Sequence, residues 1–191
     1  MMIFLILAPY GAFAILMLLT SAAVSLFASA AICVAVIAFD AVYGRSIKML
    51  GAGSAILFAA LGCYVTLVDS SLGSSEVKLT VDAGMLVISL VSLAIRRPFT
   101  LQYAREAADT ETARLPEFLK ANYVITWAWT LAFVLMVMAN VLLIYIPGLP
   151  LWSGIAIAFA ARNSAIYFTK WYPEHVRAKY PTPATSGFSG C

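Results

Sequence analysis

The chain has 191 residues, 63% of them hydrophobic and 11% charged, with a net charge of +3. A mean hydropathy of +0.94 excludes an ordinary soluble domain, and the length leaves no room for a soluble catalytic domain beside a membrane bundle. The basic residues flank apolar runs, so the positive charge reads as an orientation signal and not as a nucleic-acid footprint.

Six apolar runs predict membrane-spanning helices at 2–19, 22–43, 49–68, 79–95, 121–146 and 152–172. A helix of about 20 residues matches a hydrocarbon core of roughly 30 Å. The expected fold class is all-α: one polytopic bundle of six transmembrane helices over 1–180, a cytoplasmic loop at 96–120 and a disordered tail at 181–191. Ala28-Ser29-Ala30 looks like a signal cleavage site, but Met1 to Ile6 carries no Lys or Arg, so the first run is expected to stay in the mature protein. Pro9 is expected to bend the first helix, and Thr20-Ser21 allows only a tight turn before the second. The fourth run is short, with Asp82 near its start.

Every second gap is basic. Arg45 and Lys48 follow run two; Arg96, Arg97, Arg105, Arg114 and Lys120 follow run four; Lys170, Arg177 and Lys179 follow run six. The intervening gaps hold Lys78 alone. Short basic loops stay in the cytosol, so six crossings with both termini cytoplasmic are expected. Tyr43, Tyr123, Trp127, Trp129, Trp171 and Tyr172 fall near the cytoplasmic interface and Tyr145 and Trp152 near the opposite one, where aromatic rings anchor a bundle. After Arg96-Arg97-Pro98, the residues Phe99, Leu101 and Tyr103 could lie on the lipid surface while Arg105 and Glu106 face water. Pro116 suits the first turn of the fifth spanning helix.

Arg162 is the deepest charge, about 15 Å into the last span. A guanidinium there costs about 2.5–3.5 kcal/mol and must face protein or water. It reads either as a structural ion pair or as a site for an anionic substrate or lipid headgroup, with Asn163 and Ser164 widening the polar zone. Asp40 is its expected partner, on a stripe of run two with Ser25, Ser29 and Cys33; alone it would be an interfacial carboxylate near Arg45. Asn140 shares a face with Thr126, Thr130 and Phe133, and Asp82, Ser89, Ser92 and Arg96 share another. Ala52, Ala55, Ala59 and Gly62, and on the last run Gly154-Ala158 and Ala156-Ala160, form small-residue faces suited to close helix packing. Arg162, Asp40, Asn163 and Asn140 are thus the candidate intramembrane polar site. Arg96, Arg97, Phe99, Tyr103 and Arg105 are a candidate cytoplasmic interface.

Cys33, Cys63 and Cys191 show no ligand spacing, and His175 is the only histidine. No metal site, cofactor or catalytic residue is predicted; apolar ligands such as lipid, quinone or pigment need no diagnostic side chain and stay compatible with the chain. Phosphate-binding loops, dinucleotide fingerprints and nucleophile elbows are missing.

The stretch Arg96-Arg97-Pro98-Phe99-Thr100-Leu101-Gln102-Tyr103-Ala104-Arg105-Glu106 resembles a loop of uncharacterised bacterial multi-pass membrane proteins. That resemblance implies a bacterial inner-membrane location and carries over no functional residue. Two functions fit the sequence. One is an accessory or scaffold subunit, packing against itself or another membrane protein. The other is a small permease or channel with a polar site around Arg162 and Asp40.

Overall fold

The computed structural model describes residues 2–146 and 148–179; the tail expected to be disordered lies outside the described residues. Among the described residues there are seven α-helices and no strand. They are α1 (Met2–Leu19), α2 (Ala22–Val42), α3 (Met49–Leu67), α4 (Ser74–Ala94), α5 (Phe99–Ala107), α6 (Pro116–Tyr145) and α7 (Leu151–Lys179). α2, α3, α4 and α6 are long and apolar enough to cross a membrane, and α1 adds the shorter apolar stretch Ala8–Leu19. α2 packs between α1 and α3, α4 between α3 and α6, and α7 against α6, while α5 lies across α6 at one end and touches α3 and α4.

The helix ends follow from local chemistry. Ser21 accepts the Val24 N–H and caps α2. At the far end of α2, Gly44 sits at φ +66, and the Arg45 N–H bonds the Asp40 carbonyl at 2.8 Å while the Gly44 N–H bonds Ala41 at 3.1 Å. This left-handed stop turns the chain back at once. α4 closes the same way, with Arg96 at φ 57 in the position glycine usually takes and Arg97 bonded to the Ser92 carbonyl. Pro98 then prevents any continuation. α4 starts five residues earlier than the hydropathy run implies, because the Glu76 carboxylate accepts the Gly73 N–H at 2.8 Å and holds the first turn. Asp82 consequently lies about 12 Å inside the helix instead of at its mouth. Pro116 opens α6, as its spacing predicts.

Polarity is inverted relative to a water-soluble protein. Ser25, Ser29, Ser54, Ser89 and Ser92 are fully buried, whereas Ile56 and Phe159 are each 70% exposed. Lipid solvates the apolar exterior, and the interior hydroxyls find acceptors one turn back: Ser29 on Ser25, Ser54 on Leu50 and Thr130 on Thr126. The α3–α4 contact is reciprocal. A Cβ on Gly53 would lie 2.9 Å from Ile88 of α4, and one on Gly84 would lie 2.5 Å from Leu57 of α3. Glycine at each position leaves room for the facing Ile88 and Leu57 side chains to seat against the helix backbone.

Candidate functional site

The α2 stop, the connection to α3 and the short helix α5 converge at one end of the bundle. Asp40 is the last inward residue of α2, three residues before the turn. Lys48 is the residue immediately before α3, and its side chain folds back so that Nζ donates to Asp40 Oδ2 at 2.6 Å. Both side chains are almost fully enclosed, Lys48 at 7% exposure and Asp40 at 8%. Nζ also lies 3.1 Å from Glu106 Oε2 on α5, near enough for an ion pair though out of line for a hydrogen bond. Glu106 Oε1 accepts the Ser46 hydroxyl at 3.1 Å. Arg45 stands 3.7 Å from Asp40 and is more open to water, so it adds little beyond charge balance.

α5 is the clamp. Gln102 Oε1 accepts the Met49 N–H at 2.6 Å, satisfying one of the donors orphaned at the start of α3. Its tyrosine ring, Tyr103, faces the Lys48 ammonium at 5.5 Å. Burial raises the Tyr103 phenol well above its ordinary value, and the nearby Asp40, Cys33 and Glu106 push it the same way. The apolar face of α5 therefore packs on protein. Phe99 and Leu101 are buried and Tyr103 is partly so, which corrects the expectation that they lie on lipid; Glu106 turns inward, and Arg105, Arg96 and Arg97 remain exposed. The reason is that a nine-residue helix tethered by Pro98 meets the open ends of α3, α4 and α6 before it reaches the bilayer surface. Of the candidate cytoplasmic interface, only the three arginines are left on the outside.

A cavity of about 40 Å³ rises from this cluster into the bundle, bordered by Asp40, Lys48, Tyr103, Cys33 and Tyr10. That is room for about three water molecules at roughly 10–15 Å³ each. At its inner end the Tyr10 hydroxyl is hydrogen-bonded to Ser54 of α3. Beyond it a second polar group occupies the other half of the bundle. Asn140 of α6 donates to Asp82 Oδ2 of α4 at 2.8 Å. Tyr10, Asp40, Ser54, Asp82 and Asn140 thus bring polar side chains from five of the long helices.

The expected partnership of Asp40 with Arg162 is corrected. Asp40 is held by Lys48 and Arg45 at the bundle end, and Arg162, half-exposed on α7, forms no hydrogen bond or ion pair among the described residues. The geometric reason is the α2 stop, which returns Lys48 directly onto Asp40 at 2.6 Å. Asn163 and Ser164 are exposed on the outside of α7, with the Asn163 amide bonded to its own helix at Phe159. The stripe Ser25, Ser29, Cys33 and Asp40 is buried as expected, and so is the face of Thr126, Thr130, Phe133 and Asn140, where Thr130 bonds Ser89 at 2.6 Å. Trp127, Trp171, Tyr145 and Trp152 are exposed, the last two at helix ends, while Trp129 turns inward and donates to Thr169 at 2.9 Å. Sequence reasoning counted Lys48 only as an orientation charge and overlooked Tyr10 and the inward role of Glu106. The available signal was a lysine eight residues after an aspartate across a glycine turn.

Fold and site together define an α-helical membrane protein with a charge-balanced cavity at one end of its bundle. No family model, curated protein or solved structure matches the chain.

Proposed function

We propose that the chain is a six-pass protein of the bacterial cytoplasmic membrane, with both termini and α5 in the cytosol, and that it acts as a small permease or channel. The basic end carrying Arg45, Lys48, Arg96, Arg97 and Arg105 supports the orientation. The loop resemblance supports the bacterial placement. α1 and α7 supply the first and last crossings, each flanking a helix that is itself apolar enough to span. The observation that carries the functional reading is the cavity between Asp40, Lys48 and Tyr10, which gives polar groups inside the bundle a wet approach from the cytosol. Its size suits water-sized solutes and small ions, not sugars or amino acids.

The accessory or scaffold reading draws on small-residue faces. Several of these positions are already occupied within the chain: Gly53 and Gly62 of α3 meet Ile88 and Phe27, Gly84 of α4 meets Leu57 and Gly154 of α7 meets Leu143, while Ala156 and Ala160 of α7 stay exposed. The permease reading is therefore the better supported of the two. Its test uses Cys33, which borders the cavity. In a Cys63→Ala, Cys191→Ser background, a small charged thiol reagent is expected to modify Cys33 from the cytosolic face of oriented vesicles. No modification from either face would mean a dry, purely structural lock.

A further inference from the structure

α7 packs along α6 and buries Gly154, Ala161 and Ala165, while its opposite side is uncovered. At about 100° per residue that uncovered side centres on one stripe, Ala156, Ala160, Asn163 and Tyr167, all exposed. Asn163 stands near the middle of the span, about 16 Å from Trp152 and about 10 Å from Lys170 along the axis. Among the described residues, no other spanning helix exposes an amide or charged side chain in its middle. Asn163 Nδ2 donates to the Phe159 carbonyl at 2.7 Å, which leaves the second N–H and Oδ1 without a partner among the described residues. The Ser164 hydroxyl beside it forms no hydrogen bond there either, whereas Ser29, Thr130 and Thr169 each bond back one turn. Hydrocarbon cannot satisfy such groups, so a polar patch at this depth needs a protein cover.

We propose that this face of α7 is the contact between two copies of the chain, related by a two-fold axis along the membrane normal. Copies inserted in one orientation hold equal residues at equal depth, so the two-fold sets each residue of the stripe against itself. The stripe suits that arrangement. A side-chain amide both donates and accepts, so Asn163 of one copy can give its free N–H to Oδ1 of the other and receive the reciprocal bond. A carboxylate or guanidinium at that position would face its own charge. Ala156 and Ala160 carry only a methyl group each and let the two backbones approach. A different membrane protein as occupant would require no such self-matching.

The flanks of the stripe match as well. The two-fold lays the Arg162 side of one copy beside the Ser164 side of the other, so a guanidinium without an acceptor meets a hydroxyl without a partner. Beyond the membrane the stripe continues as exposed Lys170 and Glu174, opposite in sign and about one turn apart. Each can pair with its counterpart across the axis. Trp152, Phe159 and Tyr167, among the most exposed rings of the chain, border the contact and are covered by it. This pairing goes beyond the permease reading and does not depend on it.

The test uses the full chain reconstituted alone into liposomes, so that no other protein is present. In a Cys33→Ala, Cys63→Ala, Cys191→Ser background, single cysteines replace Ala156, Ala160, Ile155 or, on α4, Val87, and the vesicles are mildly oxidised. Disulfide-linked dimer is expected from Ala156→Cys and Ala160→Cys, and little from Ile155→Cys or Val87→Cys, which are exposed but lie off the stripe. Fluorescence transfer between copies labelled at Cys191, in a Cys33→Ala, Cys63→Ala background and followed as lipid is added, reads the affinity. Asn163→Leu should raise the dimer dissociation constant by about tenfold, and Asn163→Gln, which keeps the amide, should stay within about threefold of the native chain. Both replacements lie on the exposed face, and an unchanged melting temperature checks that the single chain still folds. Equal cross-linking at all four positions is random collision and overturns the proposal. Native affinity in Asn163→Leu overturns it as well, because the amide then serves another membrane protein or stands unpaired in lipid. A chain that stays monomeric at every dilution does the same, and each of these failures leaves the permease reading standing.

Discussion

Lys48→Met removes the one cation shared by two inward carboxylates. In the native chain the Lys48 ammonium, at 7% exposure, contacts Asp40 at 2.6 Å and Glu106 at 3.1 Å. Its loss leaves Asp40 with Arg45 at 3.7 Å and leaves Glu106 with the Ser46 hydroxyl. Breaking a buried pair from one side costs about 3–5 kcal/mol, mostly as the penalty of the charge left behind. Glu106, at 17% exposure, can relax toward water, so the expected cost is near the lower end, about 3 kcal/mol. For a chain of this size each kcal/mol moves the melting temperature by about 2–4 °C, giving a fall of about 6–12 °C. Thermal unfolding in detergent, followed by circular dichroism and tryptophan fluorescence, reads the change. Adding Asp40→Asn and Glu106→Gln to Lys48→Met should recover at least half of the loss, because neutral amides carry no uncompensated charge. A Lys48→Met melting point within about 2 °C of wild type would refute the reasoning, since that shift corresponds to at most about 1 kcal/mol.

Two further predictions concern the packing and the α5 clamp. Gly84→Leu should destabilise by about 1–3 kcal/mol through collision with Leu57, and Leu57→Ala in the same chain should recover part of it, measured by the same thermal scan. Tyr103 is protonated in both folded and unfolded chains below its ordinary value of 10.0. Above that the unfolded chain releases the proton while the folded chain keeps it, so stability falls as pH rises. Between pH 10 and 11 the wild type should lose about 1 kcal/mol more than Tyr103→Phe; equal losses would place the phenol in open water.

The helices themselves were legible because each apolar run is close to the bilayer thickness, and because Gly44 and Arg96-Arg97-Pro98 stop α2 and α4 while Pro116 opens α6. Faces were legible as well: the 3.6-residue period put Ser25, Ser29 and Cys33 inside, and it grouped Asn140 with Thr126 and Thr130. Partners were harder to read. Asp40 was matched to Arg162 by charge and depth, whereas the turn after α2 brings Lys48 back onto it from only eight residues away. Hydropathy also set the start of α4 too late, because Glu76 and Lys78 lower the average although the Glu76 contact to Gly73 begins the helix. The inward turn of α5 depends on three helix ends meeting over it, and no local pattern in its nine residues encodes that.

The site requires Asp40, Lys48 and α5 to sit on the cytosolic side of a chain that crosses the membrane six times. Cysteines placed singly at Asp109, Ser71 and the two chain ends, in a cysteine-free background, can be probed with an impermeant thiol reagent on intact cells and on inverted vesicles. The account predicts labelling at position 109 and at both ends only in inverted vesicles, and at position 71 only in intact cells. Labelling of the two ends from opposite sides, or of position 109 from outside, would contradict it.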